Sequence, residues 1–244
     1  YYFKAYFEII NENGIEAGDK INITVPTGNF GNILAAYYAY RMGLPVNKFI
    51  CASNDNKVLT DFLKTGIYDI EREFKKTISP SMDILISSNL ERFLFEITGH
   101  QSNKVNQWYQ QLKTENKFEV DQQTKAEIQQ LFNGHYSTES EAREVIKSTF
   151  NNYNYLLDPH TAVGVDSLNQ YRQQSGDQKT AIVASTANPY KFSRAVLESL
   201  KEEELEQDEY RIIEELEEMT AAKIHRGLKG LEEMESRHHH SCDK

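Results

Sequence analysis

The chain has 244 residues, with 27 lysines and arginines against 37 aspartates and glutamates, a formal charge of −10, and 39% hydrophobic and 26% charged residues. That composition is ordinary for a globular protein long enough to bury a core, and no apolar run approaches the roughly 20 residues that a membrane-spanning helix requires. The negative balance speaks against a nucleic-acid partner, although eleven acids against two bases between Glu198 and Glu218 account for nearly all of it. Cys51 and Cys242 lie far apart and outside any CxxC, which predicts a reducing, cytoplasmic setting without a disulfide framework.

Tyr2, Tyr6, Ile9 and Ile10 recur at helical spacing, so 2–13 is predicted as a helix that Asn13-Gly14 closes. The pattern is already running at the first residue, with neither a start signal nor a signal peptide, and this predicts further residues upstream. INITVP, Ile21 to Pro26, alternates as a strand. The loop Thr27-Gly28-Asn29-Phe30-Gly31-Asn32 follows it, then a helix stopped at Gly43. Lys48 to Ser53 reads as a short buried strand, and Asn54 to Lys64 as a helix ending at Gly66. Strand alternating with helix predicts an α/β protein with a parallel sheet covered by helices. The stretch 103–150, rich in Gln, Lys, Glu and Asn, is predicted as a helical insertion, and core-like sequence returns over 151–200 with a strand from Lys179 to Ala184. The acidic segment 201–244 is predicted as amphipathic helices burying Leu205, Ile212, Ile213, Leu216 and Met219, followed by a tail. The first 102 residues then form the α/β region that carries the glycine loop.

That loop is the most informative stretch, because a glycine-bounded turn between a buried strand and a helix start presents free backbone N–H groups to an anion, with phosphate as the natural occupant. Gly28 and Gly31 permit close approach of the backbone, while Asn29 and Asn32 can donate amides or cap the helix. The spacing is neither GxGxxG nor GxxxxGK[ST], so on the residues alone a merely connecting turn is an equal reading. Ser87-Ser88-Asn89 opens a further helix, as an anion site or as its cap, and Ser185-Thr186 reads as a helix cap after a strand. In Asp158-Pro159-His160-Thr161 a lone histidine reads first as a satisfied structural group. His238-His239-His240 with Cys242 lacks an acceptable zinc geometry, and no metal is predicted.

Six blocks in order, VPTGNFGN, AAYYAYRMGLP, ASNDN with DFLKTGIYD, SPSMDILISSNLERFLFE, DPHTAVGV and STANPYKF, resemble threonine synthase, and the ending RHHHSCDK also resembles that family's C-terminal tail. The resemblance implies the tryptophan-synthase-β-like fold (fold type II), pyridoxal phosphate as cofactor, and conversion of the small molecule O-phosphohomoserine with water to threonine and phosphate, by γ-elimination and β-addition. It places Gly28, Asn29, Phe30, Gly31 and Asn32 on the cofactor phosphate and Thr186 facing the pyridine nitrogen. Ser88, Asn89, Asp158, His160 and Thr161 fall on the substrate side, and Asn188 stands where the family often has histidine. The family's Schiff-base lysine lies in an FKD-type motif upstream of the phosphate loop, whereas Lys4, Lys20, Lys64 and Lys191 sit in no such motif. The resemblance therefore implies a C-terminal portion, inactive alone, whose partner is the missing N-terminal half. Another fold-type-II lyase and a non-catalytic phosphate-binding homologue are the competing expectations.

Overall fold

In the computed structural model, which describes residues 1–206, 208–235, 237, 240 and 241, β1 (Ile21–Pro26) is the axis around which the other elements are laid. The helix α1 (Tyr2–Asn11) precedes it, and α2 (Gly31–Arg41) carries the chain to β2 (Val46–Ser53), which runs parallel to β1. Next come α3 (Val58–Thr65), β3 (Ile67–Asp69), α4 (Leu90–Ile97), α5 (Ser102–Glu115), β4 (Lys117–Glu119) and α6 (Gln122–Leu131). The chain then enters β5 (Phe132–Tyr136), α7 (Glu139–Tyr153), α8 (Pro159–Ser175), β6 (Ala181–Val183), α9 (Ser193–Lys201) and α10 (Glu209–Thr220). The main sheet has the order β5-β2-β1-β6, all parallel, and β3 with β4 makes a separate antiparallel pair.

Helices cover both faces of the sheet, so every residue of β1 is buried, polar ones included. Ile21, Ile23 and Val25 join Phe49, Phe132 and the α2 residues Ile33 and Tyr37 on one face. The opposite face receives α8, where Ile50 meets Leu168 and Tyr171, and Gly164 comes so near that a Cβ there would lie 3.1 Å from Pro26 and 3.2 Å from Val183. Asn22 thus enters the α8 face and is hydrogen-bonded there. It donates to Asp177 at 2.9 Å, accepts from Asn47 at 2.9 Å, and shares Asp177 with the Tyr171 hydroxyl. Burial raises the Asp177 carboxyl, but the bonds from Asn22, the Lys179 amide and Tyr171 outweigh it and hold the group down at about 2. Cys51, in the core on β2, has its thiol pushed up to about 12 by burial, against a lowering bond from Thr27.

Three expectations change. The segment 103–150 is not helical throughout: it supplies β4 and, more consequentially, β5, whose residues pair with Phe49 to Ser53 of β2. The helix expected from Asn54 starts at Val58, because the Asn54 and Asn56 side chains turn into a buried network with Thr77, Ser79 and Asp83, reaching Asp83 at 2.7 and 3.0 Å. In the acidic segment Leu205, Ile212 and Leu216 are buried as expected, whereas Met219 is 47% exposed. The acidic faces of α9 and α10 are matched by Lys201 to Glu215 at 2.7 Å and Lys147 to Glu202 at 2.6 Å. His238, His239 and Cys242 lie outside the described residues, among which no cluster fits a metal ion and no helix is long and apolar enough to cross a membrane.

Candidate functional site

The carboxyl ends of β1 and β6 lie side by side, since Thr24 pairs with Val183 and the Ala184 amide donates to the Thr24 carbonyl at 2.9 Å. From β1 the chain proceeds outward to β2 and β5, and it returns on the other flank as β6. The crevice between β1 and β6 is therefore the topological switch point, where ligands of parallel α/β sheets bind. Two predicted stretches border it, Thr27–Asn32 after β1 and Ser185-Thr186 after β6.

The loop after β1 is gripped by its carbonyl groups. The Ser87 hydroxyl donates to the Gly28 carbonyl at 2.8 Å, and the Asn89 backbone and side-chain amides donate to the Asn29 carbonyl at 3.1 and 2.8 Å. Tyr68, on β3, accepts from the Ser87 amide and donates to the Leu85 carbonyl, both at 2.8 Å, and burial pushes its phenol up to about 12. With the carbonyls engaged on one side, the N–H groups of Gly28, Asn29, Phe30, Gly31 and Asn32 have no hydrogen-bond partner among the described residues. Those of Phe30, Gly31 and Asn32 are orphan donors of the α2 N-terminus, preceded in the loop by those of Gly28 and Asn29, and donors of this kind suit an anion. Phe30 starts the helix from the left-handed region, at φ 60°, with its ring buried against Phe93 and Phe132. Gly28 cannot bear a side chain, because a Cβ would stand 2.7 Å from the Ser81 carbonyl oxygen.

Several side chains act differently from their expected roles. Asn32 neither caps α2 nor leaves its carbonyl oxygen free, since Oδ1 accepts from the Tyr2 hydroxyl at 2.7 Å. Asn89 provides no side-chain cap for α4 and is turned to the loop instead, and Ser88 is exposed beside it, accepting from Asn89 at 3.3 Å. The cap after β6 is Asn188, which accepts from the Tyr190 amide at 2.9 Å. Thr186 is released from that duty: it is exposed, and its hydroxyl meets no partner among the described residues. Asp158 caps α8, accepting from the amides of His160 and Thr161 at 2.9 and 3.3 Å and from the Thr161 hydroxyl, which also lies 3.5 Å from the Ser185 hydroxyl. Apart from the backbone bonds of α2, the polar contacts of Thr27–Asn32 among the described residues are with Val25, Cys51, Ala52, Tyr2, Ser87 and Asn89, with no lysine among them. A groove between α7 and α9 is no rival anion site, because Arg143 is matched by Glu139 and Glu198, and Lys147 by Glu202.

Fold and site together define a parallel-sheet α/β protein with a glycine loop of unpartnered backbone amides at its switch point, and the same architecture occurs in threonine synthase structures. Residues 161–241 match the family model described as threonine synthase, C-terminal. Threonine synthase-like 1 of Macaca fascicularis is 42% identical over 206 residues, covering 84% of this chain and 27% of that protein. Threonine synthase of Saccharomyces cerevisiae is 39% identical over 214 residues, covering 82% of the chain and 41% of the relative. Among solved structures, pyridoxal-phosphate-bound threonine synthase from Brucella melitensis superposes with a TM-score of 0.76 at 36% identity, and the yeast enzyme with 0.80 at 33%. They cover 96% and 97% of this chain and 48% and 47% of their own. The chain is thus similar to the C-terminal part of threonine synthases and spans less than half the length of the relatives it matches.

Proposed function

We propose that this chain is the C-terminal portion of a threonine synthase, which converts O-phosphohomoserine and water to threonine and phosphate. The observation that carries the reading is the run of unpartnered N–H groups at Gly28–Asn32, in the loop that borders the switch-point crevice, with the Gly28 and Asn29 carbonyls held by Ser87 and Asn89. The donor set fits pyridoxal phosphate. Five backbone amides and the positive end of α2 suit a phosphate dianion, and the unengaged Thr186 hydroxyl suits a neutral partner for a ring nitrogen. When bound, pyridoxal phosphate supplies an electron sink for negative charge developing on substrate carbon. The chain's own residues would bind and orient it: Gly28–Asn32 would hold the phosphate end, and the Thr186 hydroxyl would offer the ring nitrogen a neutral partner. Thr161 and Ser185 shape the adjoining substrate side, joined by Ser88 and Asn89 at the loop's outer rim.

Among the described residues no lysine makes a polar contact with this loop, so the reactive amine belongs to the longer polypeptide in this reading. Full-length protein is expected to release phosphate from O-phosphohomoserine in step with threonine, and this chain alone, supplied with pyridoxal phosphate, to release none. Phosphate release by the mass-verified chain alone would assign the chemistry to a lysine within it. A full-length protein that binds pyridoxal phosphate yet forms no threonine would favour the non-catalytic homologue.

A further inference from the structure

His160 has both ring nitrogens committed inside the protein. It is 3% exposed, and its Nε2 accepts the Ser81 backbone N–H at 3.1 Å. A nitrogen that accepts carries no proton, so the ring's proton sits on Nδ1, which is donated to Asp158 Oδ1 at 3.1 Å. Asp158 is itself fixed as the cap of α8, and the Phe192 ring covers the imidazole at 4.7 Å. The residue held at the far side, Ser81, is the one whose carbonyl oxygen fills the space where Gly28 would carry a Cβ. A single line of contacts therefore runs from the α8 cap through His160 and Ser81 to the loop at Gly28.

We propose that His160 is a positioning residue that seats the Ser81 turn against Gly28 and so holds the anion loop in its binding shape. The inference rests on the reading of that loop as a phosphate seat, and it removes His160 from the groups that could exchange a proton with substrate. The same carboxylate that orients the imidazole also holds Thr161, which reaches Ser185, so the first turn of α8 ties the loop after β1 to the loop after β6. A ring that only filled space would be replaced by phenylalanine without consequence. A positioning acceptor would not, whereas glutamine, with an amide oxygen near the place of Nε2, would restore the bond to Ser81.

The test uses the full-length protein as wild type, His160→Phe, His160→Gln and Gly28→Val, with amide hydrogen exchange across 27–32 and 80–82 and with titrations of inorganic phosphate and pyridoxal phosphate. His160→Phe is expected to speed exchange at Ser81 and weaken both ligands about tenfold, the worth of one buried hydrogen bond, while His160→Gln stays near wild type. In the wild type, ¹⁵N spectra of the imidazole are expected to show the proton on Nδ1. Wild-type exchange at Ser81 in His160→Phe, or a proton on Nε2, overturns the proposal, and the spectrum decides even if the phenylalanine variant fails to fold. Undiminished phosphate and pyridoxal phosphate affinity in Gly28→Val overturns the reading of the loop instead, while the exchange and the spectrum still judge His160.

Discussion

At the scale of single residues, the site separates groups that hold the fold from groups that are free to act. Gly28 belongs to the first kind. An added Cβ would meet the Ser81 carbonyl, which is backbone and cannot swing aside, so Gly28→Ala is expected to lower stability by about 1–3 kcal/mol and to weaken pyridoxal phosphate retention. Chemical denaturation and dialysis of the full-length variant check both. Thr186 is of the second kind, exposed and unbonded, so Thr186→Val should leave stability within about 0.5 kcal/mol of wild type while lowering turnover. Equal turnover in that variant would remove Thr186 from the site. The glycine loop was legible in the sequence because glycines between an apolar strand and an apolar helix imply backbone exposed to a ligand. Ser81, by contrast, left no trace, because its main chain and not its side chain makes both contacts. Of the two readings open for Ser87-Ser88-Asn89, the cap is not made by the Asn89 side chain, whose partner, the Asn29 carbonyl, lies 60 residues away.

At the scale of elements, β5 shows where pattern reading stops. Its sequence, FNGHY, is short and has glycine at its centre, and it follows α6 with no turn residue between Leu131 and Phe132, so a helical pattern runs straight into it. The glycine is there because β5 passes α3 at close range: a Cβ on Gly134 would fall 2.8 Å from Thr60 Cα and 2.9 Å from its carbonyl oxygen. Gly134→Ala is accordingly expected to cost about 1–3 kcal/mol by forcing strand from helix, a shift readable in thermal unfolding. An unchanged midpoint would mean that α3 and β5 slide past one another freely. β1 and β2 were readable because their strands lie between clear breakers, whereas the cap that Asp158 gives α8 emerged only from the structure.

At the scale of the whole molecule, the two rims of the sheet have separate duties. The loops after β1 and β6 occupy the carboxyl rim, while Asp177, Asn22, Asn47 and Tyr171 clasp the amino rim, roughly 15–20 Å away by the length of a six-residue strand. The folded Asp177 carboxyl titrates below its ordinary value of 3.8, so the clasp stabilises fully above pH about 4 and that contribution fades as pH falls toward 2. Asp177→Asn should remove about 1–2 kcal/mol at neutral pH and flatten the acid limb of the stability profile. Combined with Gly28→Ala it should act additively within about 0.5 kcal/mol, and pyridoxal phosphate affinity should follow Gly28 alone. Coupling larger than that would show the rims communicating. The parallel arrangement itself was legible from the alternation of strand and helix, whereas the order that sets β6 beside β1 depends on contacts between residues some 160 apart in the chain. The burial of Cys51 has a practical sequel. With its thiol inside the sheet and pushed up to about 12, thiolate forms there only when β2 parts from its neighbours. The rate at which an alkylating reagent marks the Cys51 peptide is then a clock for opening of the central sheet, kept by the protein without any engineered label.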